Sequence, residues 1–183
     1  MGISDNQGVW YAVVNIFAAS KKAAGKWMKA EERLKAEGVS YVEATTGHHG
    51  NARTLTREAC AKGFRKFIAV GGDGTVNEVG RALVHSSTIL GIIPCGSGNG
   101  LARHLNISTD TKKAIEVINA YQVRNIDYGK INGQPFFCSC GTGFDAVVSS
   151  DFAKGNRRGM LNYVKKSLVD WVKYKPETYV VET

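Results

Sequence analysis

No apolar run in the 183 residues approaches the roughly 20 consecutive apolar residues that a membrane-spanning helix needs. No basic-then-apolar leader opens the chain, so secretion is not indicated. The four cysteines, Cys60, Cys95, Cys138 and Cys140, make no C-x-x-C pair, which argues against a zinc site and fits reduced thiols in a cytosolic protein. No helix-turn-helix signature or aromatic RNA-binding motif is present, so nucleic acid ranks last among partners. There is no internal repeat and no low-complexity linker. What remains is a chain long enough for one domain with a real core, ordinary in its 43% apolar and 22% charged residues. Its net charge of +8 attracts nucleotide phosphates, anionic lipids or nucleic acid, and charge alone does not choose among them.

Residues 9–17, rich in Val, Ile and aromatics, read as a buried strand. Residues 21–37 read as a helix with Trp27 and Leu34 in its apolar stripe, closed by Gly38. Strand 39–44, helix 51–62 closed by Gly63, strand 67–70, helix 76–84, strand 89–94 and a short helix near 101–104 follow. This alternation predicts an α/β domain, a parallel sheet with helices on both faces. Such sheets bind ligands beyond the carboxyl ends of their strands, where the glycine-rich stretches after Val70 and Pro94 fall. Further on, 111–121 reads as a helix capped by Thr109 or Asp110. Residues 123–130 and 134–140 read as strands joined by an Asn132-Gly133 turn. Residues 161–174 form an amphipathic pattern, and 178–181 begin a strand.

The strongest motif is Gly71-Gly72-Asp73-Gly74-Thr75, directly after a strand. Its glycines let backbone N–H groups approach a phosphate, and the helix that follows turns its positive end to the same place. Asp73 inside an anion-binding turn would repel phosphate unless compensated. A magnesium ion or a substrate hydroxyl would do so, and both belong to phosphoryl transfer. The second motif is Pro94-Cys95-Gly96-Ser97-Gly98-Asn99-Gly100-Leu101-Ala102-Arg103. Ser97 is suited to bond a phosphate oxygen, and Arg103 is a candidate anion partner. The stretch is neither a dinucleotide fingerprint, nor a Walker loop, nor a serine-hydrolase elbow.

Together the two motifs resemble the diacylglycerol kinase catalytic-domain family, which includes bacterial lipid kinases and the sphingosine and ceramide kinases. The family's G-G-D-G-T followed by N-E-V is matched by residues 71–79, and its P-x-G-T-G-N-D-x-A-R by 94–103, with Ser97 for the threonine and Gly100 for the aspartate. Asn15, Thr45-Thr46-Gly47-His48, Gly141-Thr142-Gly143-Phe144-Asp145 and Arg157-Arg158-Gly159-Met160-Leu161 resemble further family segments. The first loop departs from N-P-x-[SA]-G, since Asn15-Ile16-Phe17-Ala18-Ala19 lacks the proline and the glycine. Gly100 leans the reading toward sphingoid-like acceptors.

The resemblance implies a phosphofructokinase/NAD kinase-like nucleotide-binding domain over 1–175, with 176–183 the start of a β-rich second domain that is largely absent. It implies an ATP-dependent kinase acting on a diacylglycerol-like or sphingoid lipid alcohol, as in phospholipid biosynthesis, with ATP and Mg²⁺ as cofactors. It assigns nucleotide contacts to Asn15, Thr46, Gly71, Gly72, Asp73, Gly74, Thr75, Val76, Asn77 and Ser97. Asp73 is the catalytic residue, through magnesium or as the base at the acceptor hydroxyl. No protein-only metal site is expected. The rivals are an NAD kinase-like enzyme and a nucleotide-binding module without catalysis. The expected setting is cytoplasmic and peripheral at an anionic membrane, with self-association left open. Because the strand-like alternation of 176–183 begins and stops, the chain by itself is expected to bind nucleotide but to be a poor kinase. His48 and His49 read as loop residues and Asp145 as a catalytic group or a helix cap. Lys154, Arg157, Arg158, Lys165, Lys166, Lys173 and Lys175 read as a solvated or membrane-facing charge group.

Overall fold

The computed structural model describes residues 6–16, 22–144, 146 and 178. The chain forms two compact units, Met1–Cys138 and Ser139–Thr183. In the first unit the elements run β1 Trp10–Val14, α1 Lys22–Ala36, β2 Tyr41–Thr45, α2 Asn51–Ala61, β3 Lys66–Gly71, α3 Asp73–Leu83, β4 Ile89–Pro94, α4 Gly100–His104, α5 Thr111–Ala120, β5 Gly129–Ile131 and β6 Gln134–Phe136. In the second unit, 139–144, 146 and 178 are described; the expected helix over 161–174, the cationic residues beside it, Asp145 and the expected boundary after 175 lie outside them.

Four strands form one parallel sheet in the order β2-β1-β3-β4. The inner strands carry unbroken apolar sequence because both their faces are covered. Residue parity assigns the faces. Trp10, Ala12, Val14, Ile68, Val70 and Ile93 pack with Ala23, Trp27, Ala30 and Leu34 of α1 and with Ile115 and Ile118 of α5. Val13, Phe67, Ala69 and Ile92 pack with Ala52 and Ala59 of α2, Val76, Val79 and Leu83 of α3, and Leu101 and Ala102 of α4. The result is the three-layer α/β architecture that the alternation predicts. Phe67, Leu34 and Ile68 are fully buried, each contributing about 1.5–3 kcal/mol of transfer free energy.

Gly38 and Gly63 end α1 and α2 with φ of 68° and 90°. In both places the next residue's N–H reaches back five residues, Val39 to Leu34 and Phe64 to Ala59. Left-handed backbone of this kind favours glycine. Asp110 caps α5 by accepting from Lys113 N–H at 3.1 Å.

Three expected elements have different bounds, among them the strand expected over 134–140, which ends at Phe136. Helix α3 starts at Asp73 rather than near Val76, so Asp73-Gly74-Thr75 is the helix's own first turn. The expected strand over 123–130 shrinks to Gly129–Ile131, with Val123 and Ile126 exposed. Apolar residues make a strand only where a partner exists, and β6 offers three residues, one of them Pro135, which has no N–H to give. The Asn132-Gly133 turn forms, with φ of 47° and 72°.

Candidate functional site

The strand order reverses direction between β1 and β3: β2 lies on one side of β1, and β3 and β4 on the other. A crevice at the carboxyl ends of strands flanking such a reversal is where open α/β sheets take ligands. Asn15 follows β1, Thr46 follows β2, Gly71 ends β3 and Ser97 follows β4, so these four positions share one edge. Thr46 and Ser97 follow the two outer strands, β2 and β4, which are about 14 Å apart for three interstrand steps. The pairing continues past the strand ends: Asn15 N–H donates to Val70 O at 2.9 Å, Thr46 N–H to Val14 O at 2.9 Å and Cys95 N–H to Gly71 O at 2.7 Å.

At the centre stands the first turn of α3. Gly72 precedes it in extended conformation and brings no side chain to cap it. The first N–H groups of a helix have no intrahelical partner, so those of Asp73, Gly74 and Thr75 face the crevice with the positive end of the helix dipole. Asn15 Nδ2 donates to Thr75 Oγ1 at 3.0 Å and ties the β1 loop to this turn. A Cβ on Gly71 would collide with the Thr75 side chain, so the residue must be glycine for the threonine to fold back. Val76 is in the core and its N–H bonds to Gly72 O, so it extends the helix beneath the turn. Asn77 is partly buried, and its amide oxygen has no partner among the described residues.

The second glycine-rich loop is clasped to the first. A Cβ on Gly96 would lie 2.6 Å from Gly72 Cα, so the two backbones touch where neither has a side chain. Asn99 is buried with φ 53°, and its side chain closes the loop by accepting from Gly96 N–H at 2.8 Å and donating to Gly96 O at 2.7 Å. Asp73 completes the clasp. Its Oδ2 accepts from Asn99 N–H at 2.8 Å and its Oδ1 from Gly100 N–H at 2.6 Å.

The carboxylate thus caps α4, and these amides compensate its charge beside the first turn of α3. The sequence suggested a metal or a hydroxyl as compensator; the two backbone donors were not visible there. Arg103 donates through Nε to Gly98 O at 2.8 Å, which fastens its guanidinium to the second loop. Ser97 is exposed at the loop tip.

Two residues inside the matched motifs, to which the sequence reading gave no role of their own, shape the edge. Asn99 is one. Glu78 is the other: its Oε1 accepts from Gly50 N–H at 2.9 Å and its Oε2 from Ala52 N–H at 3.2 Å. His48 and His49 are exposed in the loop, and His49 Nε2 comes within 3.6 Å of Glu78. Beneath the second loop, burial pushes the Cys95 thiol up to about 11. Among the described residues no group of three or more His, Cys, Asp or Glu side chains could hold a metal ion. Among them, too, no helix is long and apolar enough to cross a membrane.

Comparison with known proteins finds the family model of the diacylglycerol kinase catalytic domain over residues 9–131. A protein named Diacylglycerol kinase from Mycobacterium tuberculosis (strain ATCC 25618 / H37Rv) is 34% identical over 169 residues, covering 87% of this chain and 52% of its own length. One named Probable lipid kinase YegS-like, from Pseudomonas fluorescens (strain Pf0-1), is 32% identical over 124 residues, 67% of this chain and 40% of its own length. The chain thus spans about half the length of the curated relatives it matches. Among solved structures, that of a diacylglycerol kinase from Bacillus anthracis str. Sterne matches with a TM-score of 0.63 and 28% identity, over 70% of this chain and 48% of that one. The four-stranded sheet and its helices have the NAD kinase-like fold of such domains.

Proposed function

The chain belongs to the diacylglycerol kinase catalytic-domain family, and from that premise we propose that it carries the ATP-binding half of a lipid kinase. The proposed reaction moves the γ-phosphoryl group to the hydroxyl of a diacylglycerol-like or sphingoid lipid. The observation that carries this reading is the open first turn of α3 at the sheet's reversal point, with Asp73 fixed beside it. Phosphoryl transfer asks little covalent chemistry of a protein; positioning and charge stabilisation do most of the work.

In this reading the N–H groups of Asp73, Gly74 and Thr75 take phosphate oxygens. Asn15 holds Thr75 in place, Ser97 approaches from the clasped loop and Thr46 from the β2 end. Each Asp73 oxygen uses one lone pair on a backbone amide and keeps the other. The carboxylate therefore has acceptor capacity for the lipid hydroxyl's proton or for a cation. Mg²⁺ characteristically binds through one or two carboxylates plus substrate phosphates, and a lone Asp73 suits that pattern better than a closed protein cage. Mg²⁺ would offset charge on the phosphates there.

The acceptor lies in a bilayer, and the net charge of +8 suits a peripheral visit to an anionic surface from the cytoplasmic side. The test is transfer of labelled phosphate from ATP to diacylglycerol, sphingosine, ceramide and NAD, beside direct ATP binding by this chain. ATP binding with label in a lipid product supports the reading. Label in NAD alone turns it to the NAD kinase-like rival, and an absence of ATP binding removes it.

A further inference from the structure

Helices α2, α3 and α4 each begin at the carboxyl edge of the sheet, and α3 supplies the carboxylates for the other two. Asp73 caps α4, as described above. Five residues on, Glu78 reaches the start of α2, where a carboxylate is needed. Gly50, the residue before that helix, has no side chain and a φ of 83°, so the usual Ser, Thr, Asp or Asn cap is missing. Glu78 substitutes from another helix, with one oxygen on Gly50 N–H and the other on Ala52 N–H, and its side chain is 17% exposed.

The loop between Thr46 and Gly50 is fastened elsewhere too. Thr46 N–H bonds to Val14 O, Gly47 N–H to Asn51 Oδ1 at 2.8 Å, and Asn51 N–H to His48 O. Of these ties, Glu78 alone links the loop's far end to the helix that begins with the phosphate turn. It also neutralises the positive end of α2, as Asp73 does for α4, and leaves α3 as the open helix start among the three.

We propose that Glu78 is a positioning residue of the nucleotide site, holding the 46–50 loop and Thr46 at the edge in register with the first turn of α3. The proposal rests on the ATP-binding reading above. In this role Glu78 acts through the amides of Gly50 and Ala52. Glu78→Ala removes both acceptors, whereas Glu78→Gln keeps one oxygen for Gly50 N–H and turns an amide donor toward Ala52 N–H. The wild-type chain and both variants are compared by backbone amide exchange and by ATP affinity.

Expected are faster exchange at Gly50 and Ala52 in both variants, with the core amides of β1 and β3 unchanged. ATP affinity should fall about tenfold in Glu78→Ala, with Glu78→Gln intermediate, the size of a lost charge-assisted contact. A general loss of structure would instead raise exchange across the sheet. Unchanged exchange at Gly50 and Ala52 overturns the contact itself. Faster local exchange with unchanged ATP affinity in both variants overturns the positioning role. A wild-type chain that binds no ATP removes the nucleotide reading, and the exchange data still report separately on the contact. If Glu78→Ala fails to fold, Glu78→Gln alone carries the test on the same outcomes.

Discussion

The loop after β3 and the loop after β4 are both glycine-rich, both follow buried parallel strands, and both run into a helix. Their backbone amides have opposite fates. After β3, the first N–H groups of the 11-residue helix α3 stand at the carboxyl edge of the sheet without a side-chain cap. After β4, the N–H groups of Asn99 and Gly100 are occupied by Asp73, and the loop is closed by the side chain of Asn99. Glycine content marks close backbone approach in each, but in one the approaching group is the other loop, and in the other it is the proposed phosphate. Asp73 joins the two, so its substitution bears on both.

The largest expected effect is therefore at Asp73. In a form of the protein with measurable transfer, Asp73→Asn should lower turnover by about a thousandfold, because the charge is lost and its amide now meets an N–H donor. ATP affinity should fall less, since backbone amides hold the phosphates. Turnover near wild type in the purified, folded variant would separate Asp73 from the chemistry.

Gly96→Ala breaks the clasp rather than the charge. The new Cβ would meet Gly72 Cα at 2.6 Å and Asn99 Oδ1 at 2.9 Å, so backbone must shift. A loss of about 1–3 kcal/mol in unfolding free energy, read by denaturant titration, is expected. Wild-type stability would mean that the loops do not pack as described.

A smaller effect is set by Cys95. Burial raises its folded pKa to about 11 from an ordinary value of 9.0. The unfolded chain releases this proton first as pH rises, so the contribution is fully present below pH 9.0 and lost toward about 11. Thermal melts across that range should decline less steeply for Cys95→Ala than for wild type. Identical slopes would remove the buried thiol from the account.

The inner strands were legible because burial on both faces leaves unbroken apolar sequence, as in Phe67-Ile68-Ala69-Val70. The helix ends at Gly38 and Gly63 were legible because left-handed backbone selects glycine. The start of α3 was misplaced because Gly-Asp-Gly has poor intrinsic helix propensity, and tertiary packing of Val76, Val79 and Leu83 overrides it. The strand expected over 123–130 was read from its own residues, while the pairing that decides it belongs to Pro135 and its neighbours.

The candidate site was half legible. Gly71 through Thr75 stand out by composition, and the parallel-sheet pattern puts Asn15, Thr46 and Ser97 on the same edge. The contacts of Asp73 with Asn99 and Gly100, and of Glu78 with Gly50 and Ala52, join a side chain to backbone groups 26 to 28 residues away. A backbone N–H carries no residue-specific signal, so no local pattern announces such a contact.

The comparison between the two loops can be decided at Gly74. A Cβ there would have nothing within 4 Å, so the protein's own packing does not require the glycine. If a phosphate approaches that turn closely, the ligand does. The measurement is the melting temperature and the ATP affinity of Gly74→Ala, determined on the same preparation. The account predicts a melting temperature equal to or above wild type, since alanine suits a helix better than glycine by about 1 kcal/mol, together with an ATP affinity at least about tenfold weaker. Unchanged ATP affinity in the stable variant would contradict the claim that the open first turn of α3 holds the nucleotide.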